Sequence, residues 1–218
     1  VGGVCRFLGW TFETDIAISP HIEMFTSLGL ITSNFQREIY EDRMYGEAHG
    51  ATFEFYEAHL LARHGHKKDN KWKTQFRGQF VVFNFYRESL GRTVVFRDKG
   101  LFNPKTKDGM KRVGLVDPMF ESIFEAYSTD QVEARYLMDP VFIQRLVDLE
   151  RSIDGENIRF GFTGKHLLVA IENGNRFEAG TMLRPLTDPA RTQNILDDIG
   201  TIFSVIDGVK KRPLSIRI

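Results

Sequence analysis

The chain has 218 residues, 42% of them hydrophobic, and its 29 lysines and arginines are balanced by 29 aspartates and glutamates. A chain of this length buries a sizeable core without help from a metal or a disulfide. Its zero net charge removes the global field that draws a protein to nucleic acid or an anionic membrane, so any charged partner must be met by a local patch.

The one cysteine, Cys5, lies in an apolar segment, cannot form an intrachain bridge, favours a reducing compartment and excludes multi-cysteine metal sites. Nothing approaches the roughly 18 apolar residues of a membrane-spanning helix, and no secretory signal is evident. The chain is expected to be soluble as it stands. Its start at Val1 suggests a longer protein, of which residues 1–218 form one α+β domain.

In chain order, the opening VGGVCRFLGWTF reads as a strand. Ser19, Pro20 and the apolar spacing of Ile22, Phe25 and Leu28 predict a helix capped by Ser19 and closed by Gly29. From Gln36 to Arg97, short runs rich in Phe, Tyr and Val predict sheet. Residues 51–62 alternate in polarity, whereas Phe80–Phe83 is apolar on both faces and reads as a central strand. The strands at 51–62 and 74–87 flank RHGHKKDNKWK, which reads as an exposed hairpin loop.

Asp130 and Glu133 are spaced as a capping box, and Asp139 with Pro140 starts a helix carrying Phe142, Leu146 and Leu149 on one stripe, to end near Ser152. NIRFGF and KHLLVAIENG read as a hairpin turning at Thr163 and Gly164. Asp188 and Pro189 then open a last helix with Ile195, Ile199, Ile202, Ile206 and Val209 in helical period, stopped by Gly208. The predicted fold is a predominantly antiparallel, aromatic-rich sheet with three to four helices, including a C-terminal one.

The chain lacks a Walker loop, a dinucleotide glycine fingerprint, a nucleophile elbow and an HExxH motif. The candidate binding residues are Arg63, His64, His66, Lys67, Lys68, Lys71, Trp72 and Lys73, a basic cluster with an aromatic suited to phosphates or other anions. His59, His64 and His66 do not make a metal site, since lysines adjoin them and a fixed third ligand is missing. Neither a metal nor another cofactor is expected. Carboxylates at Glu38, Glu41, Asp42, Glu47, Glu54 and Glu57 could pair across neighbouring strands for acid and base work with His59 or His166. Equally, they fit the wet face of a one-sided sheet. In YSTDQVEARY, residues 127–136, hydroxyls, a carboxylate and Arg135 crowd one helix start, where capping and packing account for them.

The stretch FEAYSTDQVEARYLMDPVFIQRL at 124–146 resembles the signature of a bacterial family known as domain of unknown function 3137. Tyr40, Glu41, Asp42 and Gly46, the block FRGQF at 76–80, the IRFGF and LLVAI hairpin, and Phe177 with Glu178 extend the resemblance over most of the chain. It implies hydrophobic membrane segments upstream in full-length members and supplies no activity or catalytic residues. The expectation is a non-catalytic binding or scaffolding module at the cytoplasmic face of a bacterial membrane. Its expected partner is another protein or, secondarily, anionic lipid, and nucleic acid is disfavoured. The alternatives are a hydrolase using the strand carboxylates with a histidine, and a carrier enclosing a small ligand.

Overall fold

Strands that are apolar on both faces need cover on both sides, and this chain supplies it from its helices and from one non-helical segment. The computed structural model describes residues 2–17, 19, 21–64, 71–84, 88–98, 100, 106–115, 117–152, 157–172, 200 and 203. In chain order these form α1 (Gly2–Phe7), β1 (Thr11–Ile16), α2 (Ile22–Ser27), β2 (Arg37–Ala48), β3 (Ala51–His64), β4 (Lys71–Asn84) and β5 (Thr93–Arg97). They continue through β6 (Thr106–Lys107), β7 (Met110–Val113), α3 (Pro118–Ile123), β8 (Phe124–Ser128), α4 (Gln131–Leu137), α5 (Pro140–Ser152), β9 (Asn157–Thr163) and β10 (His166–Glu172).

The strands join in one ten-stranded sheet in the order β1-β2-β3-β4-β10-β9-β5-β8-β7-β6. Every pairing in it is antiparallel. The β9–β10 hairpin is inserted between β4 and β5, with Val169 opposite Val81 on one side and Phe160 on the other. The expected central strand at Phe80–Phe83 is thus an interior one, flanked by β3 and β10.

Alternation along these strands divides the core in two. One face carries Phe53, Phe55, Val81, Phe83, Phe160, Phe162, Leu167 and Val169, packed against Phe120 of α3, Ala134 of α4 and Phe142, Leu146 and Leu149 of α5. The other carries Tyr56, Leu60, Phe76, Phe80, Val82, Val94, Tyr127 and Leu168, covered by Phe25 of α2 and by Leu28, Leu30 and Ile31. Gly161 on β9 makes room for that cover, because a Cβ there would lie 2.6 Å from Leu28 Cδ1 and 2.9 Å from Leu30 Cδ1.

Several local expectations change. The opening segment begins as helix α1, not as strand. Its apolar run does not distinguish the two states, and Gly9 at φ 75° ends the helical turn before β1. Ser19 does not cap α2: its hydroxyl lies 2.6 Å from the Tyr56 hydroxyl, and the helix starts after His21 with no side-chain cap. The 63–73 stretch is only partly loop, since Arg63 and His64 extend β3 and Lys71, Trp72 and Lys73 begin β4. Asp139 caps α5 as expected, accepting from the Phe142 amide at 2.8 Å. The C-terminal helix lies outside the described residues apart from positions 200 and 203. Phe203 is buried against Trp10, Phe53 and Phe83.

Candidate functional site

A polar corner forms where β1, β2 and β3 meet the entry to α2. Its construction depends on a bulge: Glu41 pairs with Glu57 but Met44 with Phe55, and Asp42 between them has φ 53°. The extra residue reverses the alternation of β2, so that Arg43 and Tyr45 come to the same face as Tyr40. Arg43 then donates from Nη2 to Glu54 Oε2 at 2.9 Å and from Nη1 to Glu13 Oε2 at 3.2 Å. Its guanidinium also sits 4.6 Å from the centre of the Tyr45 ring, and the Tyr45 hydroxyl donates to Glu13.

The other Glu54 oxygen lies 3.3 Å from His21 Nε2. The His21 and His166 rings are 5.9 Å apart, and Asn84 pairs with His166 across β4 and β10. The bonds from His21 and Arg43 hold the Glu54 carboxyl below its usual range despite its partial burial. Burial, and after it the neighbouring His21, hold the His166 imidazole below its usual range. Beside this network opens a pocket of about 240 Å³ lined by Tyr45, Gly46, Thr52, Phe53, Glu54, Val82 and Asn84. Its chemistry suits a small polar molecule: an aromatic wall, an apolar floor and hydrogen-bonding groups at Thr52, Glu54 and Asn84.

Of the six strand carboxylates singled out in the sequence, Glu54 alone lines this pocket. Glu38 accepts from the Tyr40 hydroxyl at 2.6 Å, and Glu41 stands opposite Glu57 in the β2–β3 register. His166 reaches the corner through His21, whereas His59 bonds Thr74 on the other face. Among the described residues, no group of three or more His, Cys, Asp or Glu side chains is placed to hold a metal ion. Glu13, His21, Arg43 and Tyr45 carry no signal of this role in the sequence, because a bulge and two other elements bring them together and no spacing announces it.

The basic cluster lies at the far end of β3, roughly 30 Å away at about 3.3 Å per strand residue. Arg63 pairs with Trp72, His64 with Lys71 and Ala62 with Lys73. Alternation therefore places Arg63 and Trp72 on one face of the ribbon and His64, Lys71 and Lys73 on the other. The Arg63 guanidinium lies 5.1 Å from the centre of the Trp72 ring, which is 42% exposed. His66, Lys67 and Lys68 lie outside the described residues.

The 124–136 stretch is occupied structurally. The Thr93 and Ser128 hydroxyls lie 2.9 Å apart, and the Tyr127 hydroxyl donates to Glu125 at 2.7 Å. Asp130 accepts the Val132 and Glu133 amides, both at 2.9 Å. The expected capping box is left open, because Glu133 reaches away from Asp130 and accepts the Leu90 and Gly91 amides, each at 2.8 Å.

No curated protein matches the chain in sequence. Among solved structures, the crystal structure of the mycobacterial trehalose monomycolate transport factor A, TtfA, aligns at 14% identity and a TM-score of 0.46, covering 97% of this chain and 94% of that one. The model of the protein family of unknown function DUF3137 matches residues 74–211, from β4 through the signature stretch and the β9–β10 hairpin, and the chain belongs to that family.

Proposed function

We propose that the chain is a non-catalytic binding or scaffolding module, held at the cytoplasmic face of a bacterial membrane, that grips an acidic partner protein with the end of its β3–β4 ribbon. The observation that carries this reading is the overhang of the ribbon. Among the described residues the β2 pairing stops at Leu61 and the β10 pairing at Gly78, Gln36 accepts the Arg63 amide at 2.8 Å, and beyond these contacts His64, Lys71, Trp72 and Lys73 project from the sheet with Arg63 at its margin. Asp69 is the one acidic residue in the sequence between 60 and 77, and Arg63 over an exposed Trp72 offers a cation and a flat apolar ring together. Lys67 and Lys68 belong to the same basic run.

The test compares the native-gel mobility of the chain from its own host with that of Lys71→Glu/Lys73→Glu. A larger complex that collapses to the free chain, with the melting temperature unchanged, is the expected result. An unaltered complex counts against the ribbon.

A second reading, a carrier of a small polar ligand, rests on the pocket beside Glu54. A thermal-shift screen separates the two, since a ligand present at one hundred times its Kd adds about 2.7 kcal/mol of stability. A saturable shift that Thr52→Val/Asn84→Leu removes would transfer the function to the pocket.

A further inference from the structure

Two aliphatic side chains stand far out of the molecule at one place. Leu90, between β4 and β5, is 83% exposed, and Val132, in the first turn of α4, is 77% exposed. They are neighbours because Glu133, beside Val132, accepts both the Leu90 and the Gly91 amides. Glu133 is itself only 6% exposed, so the clasp is a buried carboxylate and not a chance surface contact. Gly91 is pressed so tightly on the helix start that a Cβ there would lie 2.8 Å from Thr129 Oγ1. Arg92 adds a third tie, its amide donating to Thr129 Oγ1 at 2.8 Å. The clasp thus fixes the backbone beneath two apolar side chains that stand in water.

Cations adjoin this pair through named contacts. Arg92 follows Leu90 by two positions, and Arg135 lies one helical turn from Val132. The carbonyl of Lys111 accepts from Gln131, next to Val132. Lys165 follows Gly164, whose carbonyl accepts the Ser89 amide at 2.7 Å. All four of these basic residues are exposed. Of the nearby acids among the described residues, Asp130 caps α4, Glu133 is buried in the clasp and Glu88 is exposed, so these four cations outnumber three carboxylates.

We propose that the Leu90–Val132 knuckle is a membrane-contact surface, on which the two aliphatic side chains enter the headgroup boundary of an anionic bilayer while Arg92, Lys111, Arg135 and Lys165 meet its phosphates. Charge complementarity selects the lipid: cations around a small rigid apolar point match an anionic interface, where each kind of group gains from its own layer. This deepens the membrane-face part of the proposed function and uses none of the ribbon. The β3–β4 ribbon end lies at the opposite end of the strands, free to reach a partner while the knuckle rests on lipid.

Co-sedimentation with vesicles of phosphatidylcholine, with and without 30 mol% phosphatidylserine, tests it. The chain should bind the anionic vesicles and not the neutral ones. Leu90→Asp/Val132→Asp should weaken binding by about tenfold or more at an unchanged melting temperature, and Arg92→Gln/Arg135→Gln should weaken it and flatten its salt dependence. Leu90→Cys carrying a nitrobenzoxadiazole dye should brighten and shift to the blue on the anionic vesicles, labelling being selective because Cys5 is buried. Lys71→Gln/Lys73→Gln should weaken vesicle binding less than Arg92→Gln/Arg135→Gln does and leave the dye response at position 90 intact. Binding lost in that ribbon variant but kept in Leu90→Asp/Val132→Asp would overturn the knuckle while leaving a basic module. An unresponsive dye, or a knuckle that is photo-cross-linked to a protein and not to lipid, would overturn it as well.

Discussion

At the scale of single residues, buried polar groups are fixed by specific acceptors, and their loss is measurable. Glu133 takes two backbone amides that would otherwise be left unpaired, and a hydrogen bond to a charged group contributes about 1.5–3 kcal/mol. Glu133→Ala should therefore cost about 3 kcal/mol, lowering Tm by roughly 6–12 °C for a chain of this size. Calorimetry checks it, and a loss below about 1 kcal/mol would show that water replaces the carboxylate. Gly161 argues from the opposite direction. Any side chain there strikes Leu28 and Leu30, so Gly161→Ala should destabilise by about 1–3 kcal/mol through overpacking, measured by urea denaturation. The sequence suggests Glu133 as half of a capping box because it sits three positions after Asp130. Its true partners, 42 and 43 residues away, leave no trace in local spacing.

At the scale of elements, periodicity reads well where one face or both faces of a strand are buried. The interior position of Phe80–Phe83, the β9–β10 hairpin and the Asp139 start of α5 follow from it directly. Elements whose apolar run is too short for a period do not. The opening segment is helix before it is strand, and α2 begins three residues after Ser19, whose hydroxyl is drawn instead to Tyr56. The polar corner was legible only as a supply of carboxylates. The bulge at Asp42 decides which of the β2 side chains join it, and a one-residue insertion of that kind is a property of pairing. Removing Phe25, which is stacked 4.2 Å from Phe80 and wholly buried, tests how strongly the α2 segment covers its face. Phe25→Ala should cost about 3–5 kcal/mol by equilibrium unfolding. A cost under about 1 kcal/mol would mean that Leu28 and Leu30 close the gap.

At the scale of the molecule, several displaced titrations combine into a pH dependence. Burial lowers the folded-state pKa of His166 and of His59 below the ordinary 6.5, aided by His21 in the first and Arg77 in the second. Between the folded and unfolded values the unfolded chain binds more protons, so stability is complete above about pH 6.5 and is lost as pH falls through that window. Glu54, lowered by its bonds to His21 and Arg43, adds a second loss below its ordinary 4.5. Glu150, raised by burial against the opposing pull of Arg97, contributes with the reverse sign, more favourably in acid. The histidines govern the interval from pH 7 to 5.5, where Tm should fall and where His166→Asn should flatten the slope. A Tm that rises over this interval would show that the buried carboxyl dominates.

The proposed binding of a partner protein by the projecting end of the β3–β4 ribbon is tested on the whole molecule. The most direct measurement places a photo-cross-linking amino acid at Trp72 in the full-length protein in its native host, with Val141, exposed on α5, as the control position. One discrete protein adduct is expected from position 72, lost with Lys71→Glu/Lys73→Glu and absent from position 141. No adduct from position 72, or the same adduct from both positions, would contradict it.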